Sequence, residues 1–137
     1  MNQVTQVTFR FDPERAAAVV AVVFGIATIL AGGSVLLGRD PGYLVYRPLL
    51  IFNTAMGFVY AGTGLAAWRR DGAAVTAAMA ILVVNIAVLV RVVYLFLTTR
   101  DMVAEDSVRA MTLRTMVWLI LWALLGWVQR KKASATD

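Results

Sequence analysis

Residues 73–98 read AAVTAAMAILVVNIAVLVRVVYLFLT, an apolar run interrupted by a single charge, Arg91. The hydrocarbon core of a bilayer is about 30 Å thick, and about 20 helical residues at roughly 1.5 Å each cross it. No water is available at that depth, so backbone amides must pair within their own segment, and a run of this kind crosses as a helix. Three further runs, residues 16–37, 48–68 and 110–128, share the character. Across all four the only charged residues are Arg91 and Arg114, and every one of the 8 acids lies outside them. The fold class read from this pattern is an all-α membrane protein, a four-transmembrane-helix antiparallel bundle that forms one domain over residues 1–137.

Composition agrees with that class. Hydrophobic residues make up 61% and charged residues 15% of the chain, against about 45–50% and about 25% in a typical soluble domain. A soluble fold of this length has too little interior to hide the excess. The first run is longer than the roughly 7–15 apolar residues of a signal peptide, and acids stand in its leader, so a retained helix is expected. Upstream, Val7, Phe9 and Phe11 alternate with Thr8 and Arg10, the pattern of a short extended or interfacial segment.

Turn and cap signals bound the spans. Asp12, Pro13 and Glu14 supply a capping side chain, a first-turn proline and a first-turn acid for the first helix. Arg39, Asp40, Pro41 and Gly42 form a turn, and Pro48 suits the start of the second helix. Arg69, Arg70, Asp71 and Gly72 leave room only for a tight connection, which makes the second and third helices antiparallel neighbours. Ser107 is the expected cap of the fourth.

Flanking charges give the orientation. Arg10, Arg15, Arg69, Arg70, Arg130, Lys131 and Lys132 share one side, and Arg39, Arg47, Arg100 and Arg109 the other. The basic excess predicts both termini in the cytoplasm, in a bacterial inner membrane. Trp68 and Trp127 stand at the inner edge, with Tyr43, Tyr46 and Tyr94 towards the outer.

Helices in lipid gain by close packing and by hydrogen bonds between helices. Ala17, Ala21, Gly25, Thr28 and Gly32 form a small-residue stripe on the first helix, and Asn53, Gly57, Tyr60, Ala61 and Gly64 form one on the second. Both stripes are expected to face neighbouring helices, with a homo-oligomer seam as the alternative.

The candidate polar site comprises Arg47, Arg91, Arg114, Asn53, Asn85 and Tyr60. The three arginines lie at similar depth near the outer leaflet, where Asp101, Glu105 and Asp106 or an anionic lipid headgroup could share them. The short connection sets Asn53 level with Arg91 and Tyr60 level with Asn85. Asn85 and Arg91 point in different directions around their helix, so one is expected to face the second helix and the other the fourth helix or the headgroups. Arg114, Trp118 and Trp122 form a row on one helix face, with stacking of Arg114 on Trp118 open to it.

Several chemistries have no carrier in this sequence. The chain has no Cys and no His, which removes thiolate nucleophiles, Cys/His metal sites and the common neutral-pH base. No carboxylate lies in a span to relay protons, and no glycine loop precedes a basic Gly-Lys-Ser/Thr. The basic residues flank apolar runs and form no stripe for nucleic acid. No cofactor or metal is therefore expected.

The layout resembles that of many small bacterial membrane proteins, in organisation alone, with no motif that assigns a family. The first expectation for function is a non-enzymatic bundle acting through lateral helix contacts with the bilayer and a membrane partner, as an accessory subunit or homo-oligomer. The second is a channel or carrier for a small anionic or lipophilic solute. An intramembrane enzyme acting on lipid ranks last, for want of a base or nucleophile.

Overall fold

A computed structural model describes residues 10–99 and 102–136. The described residues form four α-helices: α1 (Pro13–Leu36), α2 (Arg47–Trp68), α3 (Ala73–Thr98) and α4 (Glu105–Ser134). All four are long and apolar enough to cross a membrane, as a multi-pass membrane protein requires. The alternating segment ahead of α1 falls largely on residues 1–9, outside the described residues, as do Arg100 and Asp101.

Local chemistry fixes the helix ends. Asp12 caps α1, its carboxylate accepting from the backbone N–H of Glu14 at 3.1 Å and Arg15 at 3.4 Å, with Pro13 in the first turn. The C-termini of α1 and α2 close in the same way. At α1 the N–H of Gly38 donates to Val35 and that of Arg39 to Ser34; at α2 the N–H of Arg70 donates to Ala67 and that of Asp71 to Ala66. This double closure needs a left-handed residue just past the helix. Gly38 supplies it at φ 106° without penalty, whereas Arg70 holds φ 59° with a side chain attached.

The fourth helix differs from the sequence expectation at both ends. It begins at Glu105 behind Ala104 and not at a Ser107 cap, and it continues to Ser134. Glu105 and Asp106 in its first turn, with Lys131 and Lys132 in its last, oppose the helix dipole at each end. Outside the apolar stretch a helix still satisfies its own backbone, so the transition to polar residues does not stop it.

The helices pack in chain order around the bundle, with α1 against α2 and α3 against α4 as the closest pairs. At the α1–α2 seam, backbones touch. A Cβ added to Gly25 would lie 2.6 Å from the backbone N of Ala61 and 2.7 Å from the carbonyl of Gly57, and one on Gly64 would lie 2.8 Å from the N of Val22. Gly32 is equally tight against the Thr54 side chain. The two small-residue stripes therefore meet each other, and absent side chains gain dispersion contact between main chains. Leucines, valines and isoleucines on the outer faces, such as Leu30, Val83, Val90 and Ile120, stay exposed for lipid.

The core separates into two clusters. One joins all four helices through Ala18, Ala21, Tyr60, Ala78, Ile81, Trp118 and Leu121. The other, around Leu49, Val92, Val103 and Met111, draws on α2, α3, α4 and the α3–α4 loop, with no residue of α1.

Ionic contacts close the bundle where the termini lie. Arg70 in the α2–α3 turn donates to the Asp12 carboxylate at 2.8 Å, and Lys132 near the end of α4 pairs with Glu14. The start of α1 and the end of α4 thus share one end with the α2–α3 turn. Arg15 sits 5.3 Å over the Trp68 ring and Lys131 4.1 Å over Trp127 in the same zone.

Candidate functional site

The opposite end is built differently. Because α1 stays out of the second core cluster, a space remains between the end of α1, the α1–α2 loop and the starts of α2 and α4. It is a cavity of about 360 Å³. Gly32 and Val35 of α1, Tyr43 and Tyr46 of the loop, Leu49, Leu50 and Asn53 of α2, and Ser107, Ala110 and Arg114 of α4 line it. Two glycines in left-handed conformation, Gly38 and Gly42 at φ 79°, turn the loop back over the opening. Asp40 also reaches the rim, but its carboxylate accepts the Gly42 N–H at 2.8 Å and so stabilises the turn itself.

The lining is mixed: Ser34, Arg39, Asp40, Tyr43, Tyr46 and Ser107 bring polar groups to it beside Asn53 and Arg114, and Val35, Val45, Leu49 and Leu50 supply the apolar part. Arg114 is half-buried, and its Nε has no hydrogen-bond partner among the described residues; neither does Oδ1 of Asn53. Asn53 is 8% exposed, and the cavity is where it surfaces. Native interiors leave few such groups unpaired, because each costs about 1–3 kcal/mol, more when charged. No ion pair among the described residues includes Arg114; Glu105, at the start of the same helix, pairs with Arg109 at 2.6 Å.

Deeper in the bundle, the side chains of Phe24, Tyr60, Asn85 and Trp118 share one layer, one from each helix. Tyr60, Asn85 and Trp118 each stand about 13 residues, roughly 20 Å, from the loop-side terminus of their helix. The Tyr60 hydroxyl donates to Asn85 Oδ1 at 2.9 Å, and the Tyr60 ring lies 4.9 Å from Trp118 and 5.9 Å from Phe24. Asn85 Nδ2 and Trp118 Nε1 have no partner among the described residues. Comparison of the chain with known protein families, with curated proteins and with solved structures gives no match.

The six candidate residues accordingly fall into three groups. Arg114 and Asn53 meet at the cavity, and Tyr60 and Asn85 meet below it. Arg91 and Arg47 do not join them. Arg91 is exposed on the outer face of α3, away from the bundle, and Arg47 is exposed beside a smaller cleft at the start of α2. Counted from the Tyr60–Asn85–Trp118 layer, Arg114 and Arg91 stand about 6 and 9 Å towards the loop end and Arg47 about 20 Å, so the similar depth expected of the three arginines holds for two of them, and those two point in different directions. Arg114 also stays off the Trp118 ring; the cation–π pairs among the described residues are those at the opposite end. Tyr43, Tyr46 and Ser107 at the cavity were not singled out as site residues from sequence, because only the folded course of the α1–α2 loop assembles them.

Proposed function

We propose that this chain is a membrane-embedded binding protein that holds an anionic oxo group, carboxylate or phosphate, without covalent chemistry, as a carrier or an anion-responsive subunit does. The observation that carries this reading is the half-buried Arg114 at the cavity, in no ion pair with a described acid, with Asn53 and a second guanidinium, Arg39, on the same lining. A half-buried guanidinium favours an oxyanion partner strongly, since charge-assisted hydrogen bonds are worth about 1.5–3 kcal/mol. The apolar part of the lining, Val35, Val45, Leu49 and Leu50, leaves room for a ligand that carries some hydrocarbon as well.

The test uses purified protein in mild detergent, with glycerol phosphate and dioctanoyl phosphatidic acid as probes. Arg114→Gln should weaken binding of whichever probe the wild type holds by about 10- to 100-fold. Absence of binding by the wild type to both, or equal binding by the variant, removes the reading.

A second reading, the accessory subunit or homo-oligomer acting through lateral contacts, draws on a different surface. Near the termini, Trp122, Ala123, Gly126 and Trp127 line an open cleft, and no atom stands within 4 Å of a Cβ built on Gly126. A partner helix could approach closely there. A monomeric mass in mild detergent, with no co-purifying protein, counts against it. In either reading we assign the termini to the cytoplasm of a bacterial inner membrane, on the excess of basic residues flanking that side.

A further inference from the structure

The cavity at the loop end crosses the boundary of the hydrocarbon. The layer of Phe24, Tyr60, Asn85 and Trp118 falls within about three residues of the midpoint of every helix, so it marks the middle of the bilayer, and the hydrocarbon ends about 15 Å away on either side. Arg114, one turn before Trp118, stands about 6 Å from the layer and therefore inside the hydrocarbon. Leu36, where α1 ends, lies about 18 Å from Phe24, so Arg39 just past it stands outside the hydrocarbon. Both arginines line the same cavity. One charge is at its floor and one at its rim, about 12 Å apart along the bundle by backbone position. The Arg114 side chain narrows that gap, because helical side chains lean towards the N-terminus and α4 begins at the loop end.

Neither guanidinium is taken up by the protein. No ion pair among the described residues includes Arg39 or Arg114. The backbone of Arg39 is fixed, its N–H donating to Ser34 at the close of α1, while its side chain stays exposed. Asp40 beside it binds the Gly42 N–H within the turn. A lipid phosphate fits this arrangement poorly, since it belongs at headgroup level and would have to sink about 9 Å into the hydrocarbon to reach the level of Arg114.

We infer that the cavity takes a water-soluble organic diacid that enters from the aqueous face at the loop end, with one acid group at Arg114 and Asn53 on the floor and the other at Arg39 on the rim. A linear molecule with an acid at each end, a dicarboxylate or a phosphorylated carboxylate, gives both guanidiniums a partner. Its carbon chain meets Val35, Leu49 and Leu50 between them. A monoacid satisfies one guanidinium and leaves the other to water. This inference rests on the binding proposed above and adds the class of ligand and the side from which it comes.

The experiment measures binding to the purified protein in mild detergent. The probes are the diacids succinate, adipate and suberate, the monoacids butyrate and hexanoate, and the glycerol phosphate and dioctanoyl phosphatidic acid used above. At least one diacid should bind the wild type about fivefold or more tighter than either monoacid, the worth of one exposed charge pair. Arg39→Gln should erase that preference and leave monoacid binding, where the wild type shows any, unchanged; Arg39→Lys should restore part of it. Near-UV circular dichroism checks that each variant is assembled, and the diacid preference of the wild type tests the inference even where a variant fails to fold. Equal binding of diacids and monoacids overturns the inference while leaving the anion site standing. So does a preference that survives Arg39→Gln, or a wild type that takes glycerol phosphate or dioctanoyl phosphatidic acid and no diacid. Failure of the wild type to bind any probe removes the anion site itself, and this inference with it.

Discussion

The two ends of the bundle solve opposite problems. Where the termini lie, charges cross between elements: Asp12 and Glu14 ahead of and in the first turn of α1 reach Arg70 in the α2–α3 turn and Lys132 on α4. At the loop end the ion pair among the described residues is local, Glu105 with Arg109 on one helix, and the guanidinium that could have cross-linked the elements faces a cavity. Each exposed pair is individually weak, about 0–1 kcal/mol, so the contrast is one of geometry more than of energy. One end is tied in register and the other is left with room, and the α1–α2 seam runs from the first towards the second before it opens.

The largest expected effect comes from that seam. Gly25→Ala sets a Cβ against the backbone of Ala61 and Gly57, which cannot swing aside as a side chain can. Overpacking of this kind costs about 1–3 kcal/mol. Gly33→Ala is the control nearer the open end, since no atom lies within 4 Å of its Cβ position, and replacing a helical glycine by alanine gains about 0.5–1 kcal/mol. Thermal or denaturant unfolding in detergent should separate the two in sign. Equal effects would mean that the seam does not end where the contacts do.

The sequence makes the seam and the spans legible for a physical reason. Lipid demands continuous apolar runs and small residues wherever backbones touch, and both leave a regular spacing, as at Gly25, Gly32, Gly57 and Gly64. Equal distances from a tight turn set Tyr60 level with Asn85, and the hydrogen bond joins them. Spacing fixes depth well and direction poorly when the helix is apolar all round. Arg91 and Arg114 lie within about 3 Å of each other in depth, yet only Arg114 turns inward to the main cavity. The cavity itself depends on how Gly38, Asp40 and Gly42 fold the loop back, and a loop's course leaves no periodicity to read. The ends of α4 escape for a related reason, because an apolar count stops at the membrane edge and a helix with well-placed terminal charges does not.

A middle-sized effect contrasts two amides. Asn85 is fully buried and paired to Tyr60, so Tyr60→Phe leaves its oxygen alone in the core and should cost about 1–2 kcal/mol in the same unfolding measurement. Asn53→Leu removes an amide whose oxygen has no partner among the described residues, and stability should hold or rise while probe binding falls. Should Asn53→Leu destabilise as much as Tyr60→Phe, the open end would be packed for stability, and its polar groups would need no ligand to account for them.

The smallest effect tests the tied end through pH. Burial pushes the Asp12 carboxyl upward, but the N–H groups of Arg15 and Glu14 and the guanidiniums of Arg70 and Arg15 outweigh it and hold the group below its ordinary value. A carboxyl lowered on folding adds stability that is fully present above its unfolded value, about 3.9, and is lost as pH falls through the folded value. Asp12→Asn keeps a capping side chain and removes the charge. The melting temperature of the wild type should therefore exceed that of the variant slightly at pH 7, and the difference should shrink only below about pH 4. A gap that closes between pH 5 and 7 would have to come from some group other than this carboxyl. A gap that never closes would mean that the difference between the two side chains does not come from the charge of this carboxyl.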